Sequence, residues 1–145
     1  MAWDHVKKQK DLALEAMNRG GIYRLVKVVP HDPAKGITVR RKITGWITQE
    51  IWLRGRSPSE LEKLLGFDSR PGSEYLPHGI DVYLITEKLR HDDFDLGGAY
   101  TYLPGGKPWD GKDMCWPPGT GAVQWRLTTD VDCRSLKTVA RNQRY

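Results

Sequence analysis

The residues with the most chemical reach cluster in one run, Trp116-Pro117-Pro118-Gly119-Thr120-Gly121-Ala122-Val123-Gln124-Trp125-Arg126-Leu127. Gly119 and Gly121 permit backbone angles that other residues resist, and they let a ligand come close to the main chain. Strand periodicity then puts Ala122, Gln124 and Arg126 on one face and Val123, Trp125 and Leu127 on the other. The second face is apolar and reads as core. The first carries a neutral amide at the mouth of a strand. Such an amide can orient a ligand or a water molecule by hydrogen bonds, but it cannot act as a general base. The same pattern fits an ordinary turn into an ordinary strand. Six tryptophans stand in this small chain, enough for a core and for a stacking surface toward a base or a nicotinamide ring.

Composition bounds the chemistry further. The 145 residues are one domain's worth, with 39% hydrophobic and 28% charged residues, as in a soluble globular protein. No apolar run reaches membrane-spanning length, and charges throughout the first twenty residues argue against a signal peptide. A net charge of +5 points to an acidic partner: nucleic acid, a phosphate-bearing small molecule or an acidic protein. The longest basic run is Arg40-Arg41-Lys42, too short for a dedicated nucleic-acid arm. Cys115 and Cys133 leave a bridge or two free thiols open. His5, His31, His78 and His91 are scattered, so no metal site is expected.

The elements that must position these residues follow from pattern. Residues 3–19 predict a helix capped by Asp4 and ended by Gly20-Gly21, with a thin stripe of Val6, Ala13 and Met17 interrupted by Lys10. Strands are expected over 22–29, 37–43, 46–53 and 79–86, the second and third joined by a turn at Thr44-Gly45. Ser57-Pro58-Ser59-Glu60 is a capping box with proline at the first helical position. It opens a short helix with Leu61, Leu64 and Leu65 on one side, closed by Gly66. Residues 68–77 read as a loop, 91–98 as acidic and turn-like, 99–103 as a short strand and 104–118 as a long loop. The Gln124 strand follows, and 130–145 reads as a last turn or strand with a frayed end. The expectation is a single α+β domain with two helices and a mostly antiparallel sheet of about six strands. Dinucleotide-fold, P-loop and nucleophile-elbow motifs do not occur.

Trp3-Asp4-His5-Val6 with its basic helix, Tyr23-Arg24, Gly45-Trp46-Ile47-Thr48, Ser57-Pro58-Ser59-Glu60-Leu61, residues 80–85 and finally residues 119–125 come in a telling order. That order resembles the C-terminal toxin domains of bacterial polymorphic toxins, delivered by contact-dependent, type VI or type VII systems. Within them it resembles the ADP-ribosyltransferase superfamily and its NAD-glycohydrolase relatives. The resemblance implies an ADP-ribosyltransferase-like fold, with residues 1–20 as a linker helix and 21–145 as the toxin domain. It also implies delivery into a target-cell cytoplasm, a cognate acidic immunity protein as partner, and NAD as substrate with no further cofactor. Cleaving the nicotinamide–ribose bond requires a grip on the pyrophosphate, a wedge against the nicotinamide and stabilisation of charge on the ribose. Under this resemblance Arg24 grips phosphate, Trp46 stacks on a ring, Thr48 bonds a ribose hydroxyl, Gln124 orients the ribose or water, and Arg126 adds a phosphate contact. Gly119 and Gly121 line the cleft, and Glu50 is the nearest acid. The sequence departs from the transferase pattern in having no E-x-E or Q-x-E pair near its C-terminus, which leaves plain NAD cleavage as the better fit.

Two other readings stay open. A ribonuclease toxin would use His78, His91, Lys88, Arg90 and Arg54 in a basic groove. A non-enzymatic basic binding module would use the tryptophans and cations alone. Convergence of Arg24, Trp46, Thr48 and Gln124 on one cleft separates the NAD enzyme from the module.

Overall fold

The computed structural model describes residues 2–67, 76–95 and 122–145, with the side chains of residues 7, 8 and 10 onward in the first helix. The described chain is α+β: helix α1 (Ala2–Met17), strands β1 (Leu25–Pro30) and β2 (Lys42–Gln49), helix α2 (Pro58–Leu64), then β3 (Ile80–Ile85), β4 (Phe94–Asp95) and β5 (Gln124–Val139). Every strand pairing is antiparallel. The order is β2-β1-β3-β5-β4, and β2 also pairs with β5, so the sheet curls back on itself as a small barrel. Its closing piece is β5, 16 residues long. Residues 124–132 of β5 pair with β2, and residues 133–139 pair with β3.

About six strands were expected and five form among the described residues, and the expected strands over 37–43 and 46–53 merge at one glycine. Gly45 does not turn the chain. It takes φ +89° inside β2, where the register to β5 shifts between Ile43 and Gly45. Thr44 of β2 there faces Thr128, Thr129 and Asp130 of β5, so the extra residues lie on β5, and such an irregularity bends the ladder without ending a strand. Residues expected in two strands therefore contribute to one continuous strand, while residues 37–41 stay outside the ladder and 50–52 tighten into a 3₁₀ turn. β1 likewise starts three residues late, because Gly21–Tyr23 forms a 3₁₀ turn. The expected strand over 99–103 lies outside the described residues.

Alternation along the strands splits the apolar side chains between the two faces of the sheet. On one face Ile43, Ile47, Tyr83, Ile85, Trp125 and Leu127 pack together, and α1 covers them with Ala13 and Met17. On the other face Val26, Val28, Ile80, Val82 and Val139 meet α2 through Leu61 and Leu65. α1 begins at Ala2, so Asp4 lies within its first turns rather than at its cap. Lys10, which interrupts the apolar stripe, has a use there: its Nζ donates to the carbonyls of His91 and Phe94 at 2.7 and 3.0 Å. α2 has the expected capping box, with Ser57 accepting from the Glu60 N–H and Pro58 at the start. A cap of this type contributes about 1 kcal/mol. Leu61 and Leu65 are buried, while Leu64 is only partly so.

The chain's last residues are held rather than frayed. Tyr145 donates its N–H to the Arg56 carbonyl and accepts from the Gly55 N–H, and Arg144 bonds the Gly55 carbonyl and Glu60. Polar composition suggested a loose end, but here Arg141, Gln143, Arg144 and Tyr145 all have hydrogen-bond partners. Cys133 is a free, buried thiol.

Candidate functional site

β1 and β2 pair only at Leu25↔Gln49 and Val26↔Thr48. Past Val26 the ladder between them stops, and the seam opens as a cleft of about 440 Å³. That volume lies within the ~300–1,000 Å³ range of small-molecule sites. Three elements frame it: Lys27 and Val28 from β1, residues 45–48 from β2, and Leu65, Gly66 and Phe67 at the end of α2. Gln124, at the start of β5, forms the floor.

Two adjacent rungs of the β2–β5 ladder explain how the polar residues meet. Thr48 stands opposite Gln124, and Trp46 stands opposite Arg126. Directly opposed residues share a face, so all four project the same way. Their roles differ sharply. Thr48 is buried and donates its hydroxyl to the Val123 carbonyl at 2.6 Å. Gln124 is buried too, and its Nε2 donates to the Leu65 carbonyl at 2.9 Å, tying β5 to the C-terminal end of α2. Its Oε1 accepts no hydrogen bond among the described residues. Trp46 remains 39% exposed and lines the cleft. Arg126 points out to solvent and pairs with Asp95 at 2.5 Å.

Arg24 does not join this group. It precedes β1, and its Nε and Nη2 bind Glu50 Oε1 and Oε2 at 3.1 and 2.8 Å. The Tyr145 hydroxyl also donates to Glu50. Glu50, the acid that the sequence placed nearest the proposed site, is only 5% exposed. Burial pulls its pKa upward, but the hydrogen bonds from Arg24 and Tyr145 and the Arg24 charge outweigh that and hold the carboxyl below its usual range. Burial and the Glu50 carboxylate together hold the Tyr145 phenol well above its own. The arginine on an apolar stretch thus has the partner that burial demands. It lines a separate groove with Arg54, Lys137 and Tyr145. Gly119 and Gly121 lie outside the described residues.

The cleft's cation is one that the sequence reading passed over. Lys27 donates from Nζ to the Trp46 carbonyl at 2.9 Å, across the open seam. Its pKa is pushed down to about 8, first by burial and then by the charge of Arg40. Gly45 makes the seat possible: a Cβ there would lie 3.1 Å from Nζ. A signal was available, because Lys27 is the only charge among Tyr23, Leu25, Lys27 and Val29 on one face of the strand read over 22–29. Also unread was a carboxylate-oriented imidazole at the far end of β1. His31 Nδ1 lies 2.8 Å from Asp81 Oδ1, which also accepts from Thr138 at 2.7 Å. Strand alternation says nothing of which residues will meet across a sheet.

The residues of the ribonuclease reading are dispersed. His91 pairs with Asp11 at 2.6 Å, Arg90 lies 3.9 Å from Asp93, Arg54 lines the Glu50 groove, and His78 and Lys88 are exposed in other loops. No group of three metal-ligating side chains occurs among the described residues, and none of their helices is long and apolar enough to cross a membrane. The chain matches no protein-family model, no curated protein and no solved structure.

Proposed function

We propose that the cleft beside Trp46 binds a nucleotide, and that NAD is that nucleotide. The observation that carries this reading is the convergence of an exposed tryptophan and a lysine amine on one cleft with an amide floor. A planar nicotinamide or adenine stacks on Trp46. Lys27 brings to the cleft the positive charge that Arg24 was expected to supply, and the Gln124 Oε1 offers an acceptor to a ring amide or a ribose hydroxyl. Trp46, Thr48 and Gln124 line this cleft, but Arg24, the fourth residue on which the enzyme reading turned, does not. The described lining contains neither carboxylate nor imidazole, so the geometry supports ligand capture more directly than water activation.

The resemblance supplies the remainder of the proposal: an ADP-ribosyltransferase-like toxin domain that consumes NAD in a target-cell cytoplasm and is neutralised by an acidic immunity protein. The net charge of +5 suits such a partner. Titration of NAD against tryptophan fluorescence tests the core of the reading. Saturable quenching that Trp46→Ala abolishes is expected. An unchanged signal at millimolar NAD, together with cleavage of total tRNA, would move the case to the ribonuclease reading.

A further inference from the structure

We propose that Lys27 is the nucleophile of this cleft, attacking C1′ of the nicotinamide-bearing ribose so that ADP-ribose is carried on Nζ. The inference rests on the NAD reading and adds the reacting atom to it.

Position comes first. Lys27 Nζ is hydrogen-bonded to the main chain of Trp46 itself. Lys27 and Trp46 also line the same cleft, so a nucleotide stacked on the indole shares one site with the amine. The missing side chain of Gly45 leaves room on the other side of Nζ. Lys27 is also the only titratable group among the described lining residues. Reactivity comes second. Burial brings the amine to a pKa of about 8, so a useful fraction is neutral near neutral pH, when an ordinary lysine is almost wholly protonated.

The step balances without another reagent. The lone pair of neutral Nζ forms a bond to C1′. The C1′–N bond to nicotinamide breaks, and its electron pair neutralises the pyridinium, so nicotinamide leaves uncharged. The extra proton on Nζ passes to solvent. Water then adds at C1′, the C1′–Nζ bond breaks, and ADP-ribose leaves while Nζ regains its hydrogen. The sum is NAD and water to ADP-ribose, nicotinamide and a proton. Gln124 is a positioning residue in this scheme, holding the ribose over Nζ.

The test uses the full chain incubated with NAD, followed by intact-mass and peptide mass spectrometry with cyanoborohydride present to trap the ring-opened adduct. One ADP-ribose on Lys27, accompanied by nicotinamide release, is the expected result. Lys27→Arg keeps the charge, so it should still quench with NAD but release nicotinamide only at background rate and carry no adduct. Its melting temperature, compared with that of the wild type, checks that the fold survives, and Lys27→Met repeats the test without charge. Nicotinamide release by Lys27→Arg at the wild-type rate would overturn the proposal, as would an adduct confined to other lysines. Binding of NAD without release by the wild type would also overturn it while leaving the nucleotide reading standing. Absence of NAD binding would end both.

Discussion

At the scale of single residues, Lys27 and Gln124 make opposite demands on the cleft. The folded pKa of Lys27, about 8, lies below the ordinary lysine value of ~10.4. Between those values the unfolded chain binds more protons, so this group's contribution to stability rises with pH across that window and is reduced below about 8. Ligand and chemistry respond in opposite directions. NAD affinity should fall as pH rises through about 8, because the ammonium is lost, whereas nicotinamide release at saturating NAD should rise. Lys27→Arg should flatten the affinity profile, which fluorescence titration between pH 6 and about 9.5 would record. Gln124 is a structural residue as much as a site residue. Removing its amide leaves the Leu65 carbonyl without its partner in a buried setting, so Gln124→Ala should cost ~1–3 kcal/mol in urea melts besides any effect on NAD. Melting unchanged from wild type would show that the bond contributes nothing. The shared face of Gln124 and Arg126 was legible from strand alternation, but its meeting with Thr48 across the ladder was not. The burial of that face was not, because it depends on where α2 lands.

At the scale of elements, glycine decided what could and could not be read. The capping box of α2 was legible because its chemistry is local: four consecutive residues satisfy one another. Gly45 was not, because a glycine that bends a strand and one that turns a hairpin look alike until the partner strand is known. Gly79 shows a third use. It has φ +96°, and a Cβ there would lie 2.1 Å from the Val139 carbonyl oxygen and 2.9 Å from Ala140 Cα. Only a bare backbone lets the residue before β3 pass the end of β5. Gly79→Ala should lose ~2–6 kcal/mol, combining backbone strain with steric displacement. Gly55→Ala is the control. Its φ of +72° is also left-handed, but nothing lies within 4 Å, so it should lose only the strain component. Equal losses in the two variants would contradict the role of close approach at Gly79.

At the scale of the whole molecule, the Arg24–Glu50–Tyr145 cluster ties the chain's last residue to the start of β1 and to the end of β2. Arg24→Ala leaves a buried carboxylate without its cation. Such losses run ~3–5 kcal/mol, and the 36% exposure of the Arg24 side chain places this one at the low end or below. The sign with pH is definite. The folded pKa of Glu50 is lowered, so its stabilisation is complete above the ordinary carboxylate range and is lost as pH falls through the folded value. The wild type should therefore lose more stability on acidification from pH 6 than Arg24→Ala does, as parallel thermal melts would register. The toxin resemblance made Arg24 the phosphate grip of the NAD site. In three dimensions the 3₁₀ turn at Gly21–Tyr23 sets it ahead of the strand, in reach of Glu50.

The closing strand has a kinetic meaning as well. β2 ends at Gln49, yet its partner residues in β5 begin at Gln124. The β1–β3 pair can form earlier, but no ring of strands exists until residues 124–139 arrive. Contacts so far apart in sequence make for slow folding. A nascent chain halted before Gln124 would present β2 with an unanswered edge, open to any extended peptide that reached it first. Synthesis of this protein is thus a race between its own last strand and every foreign one.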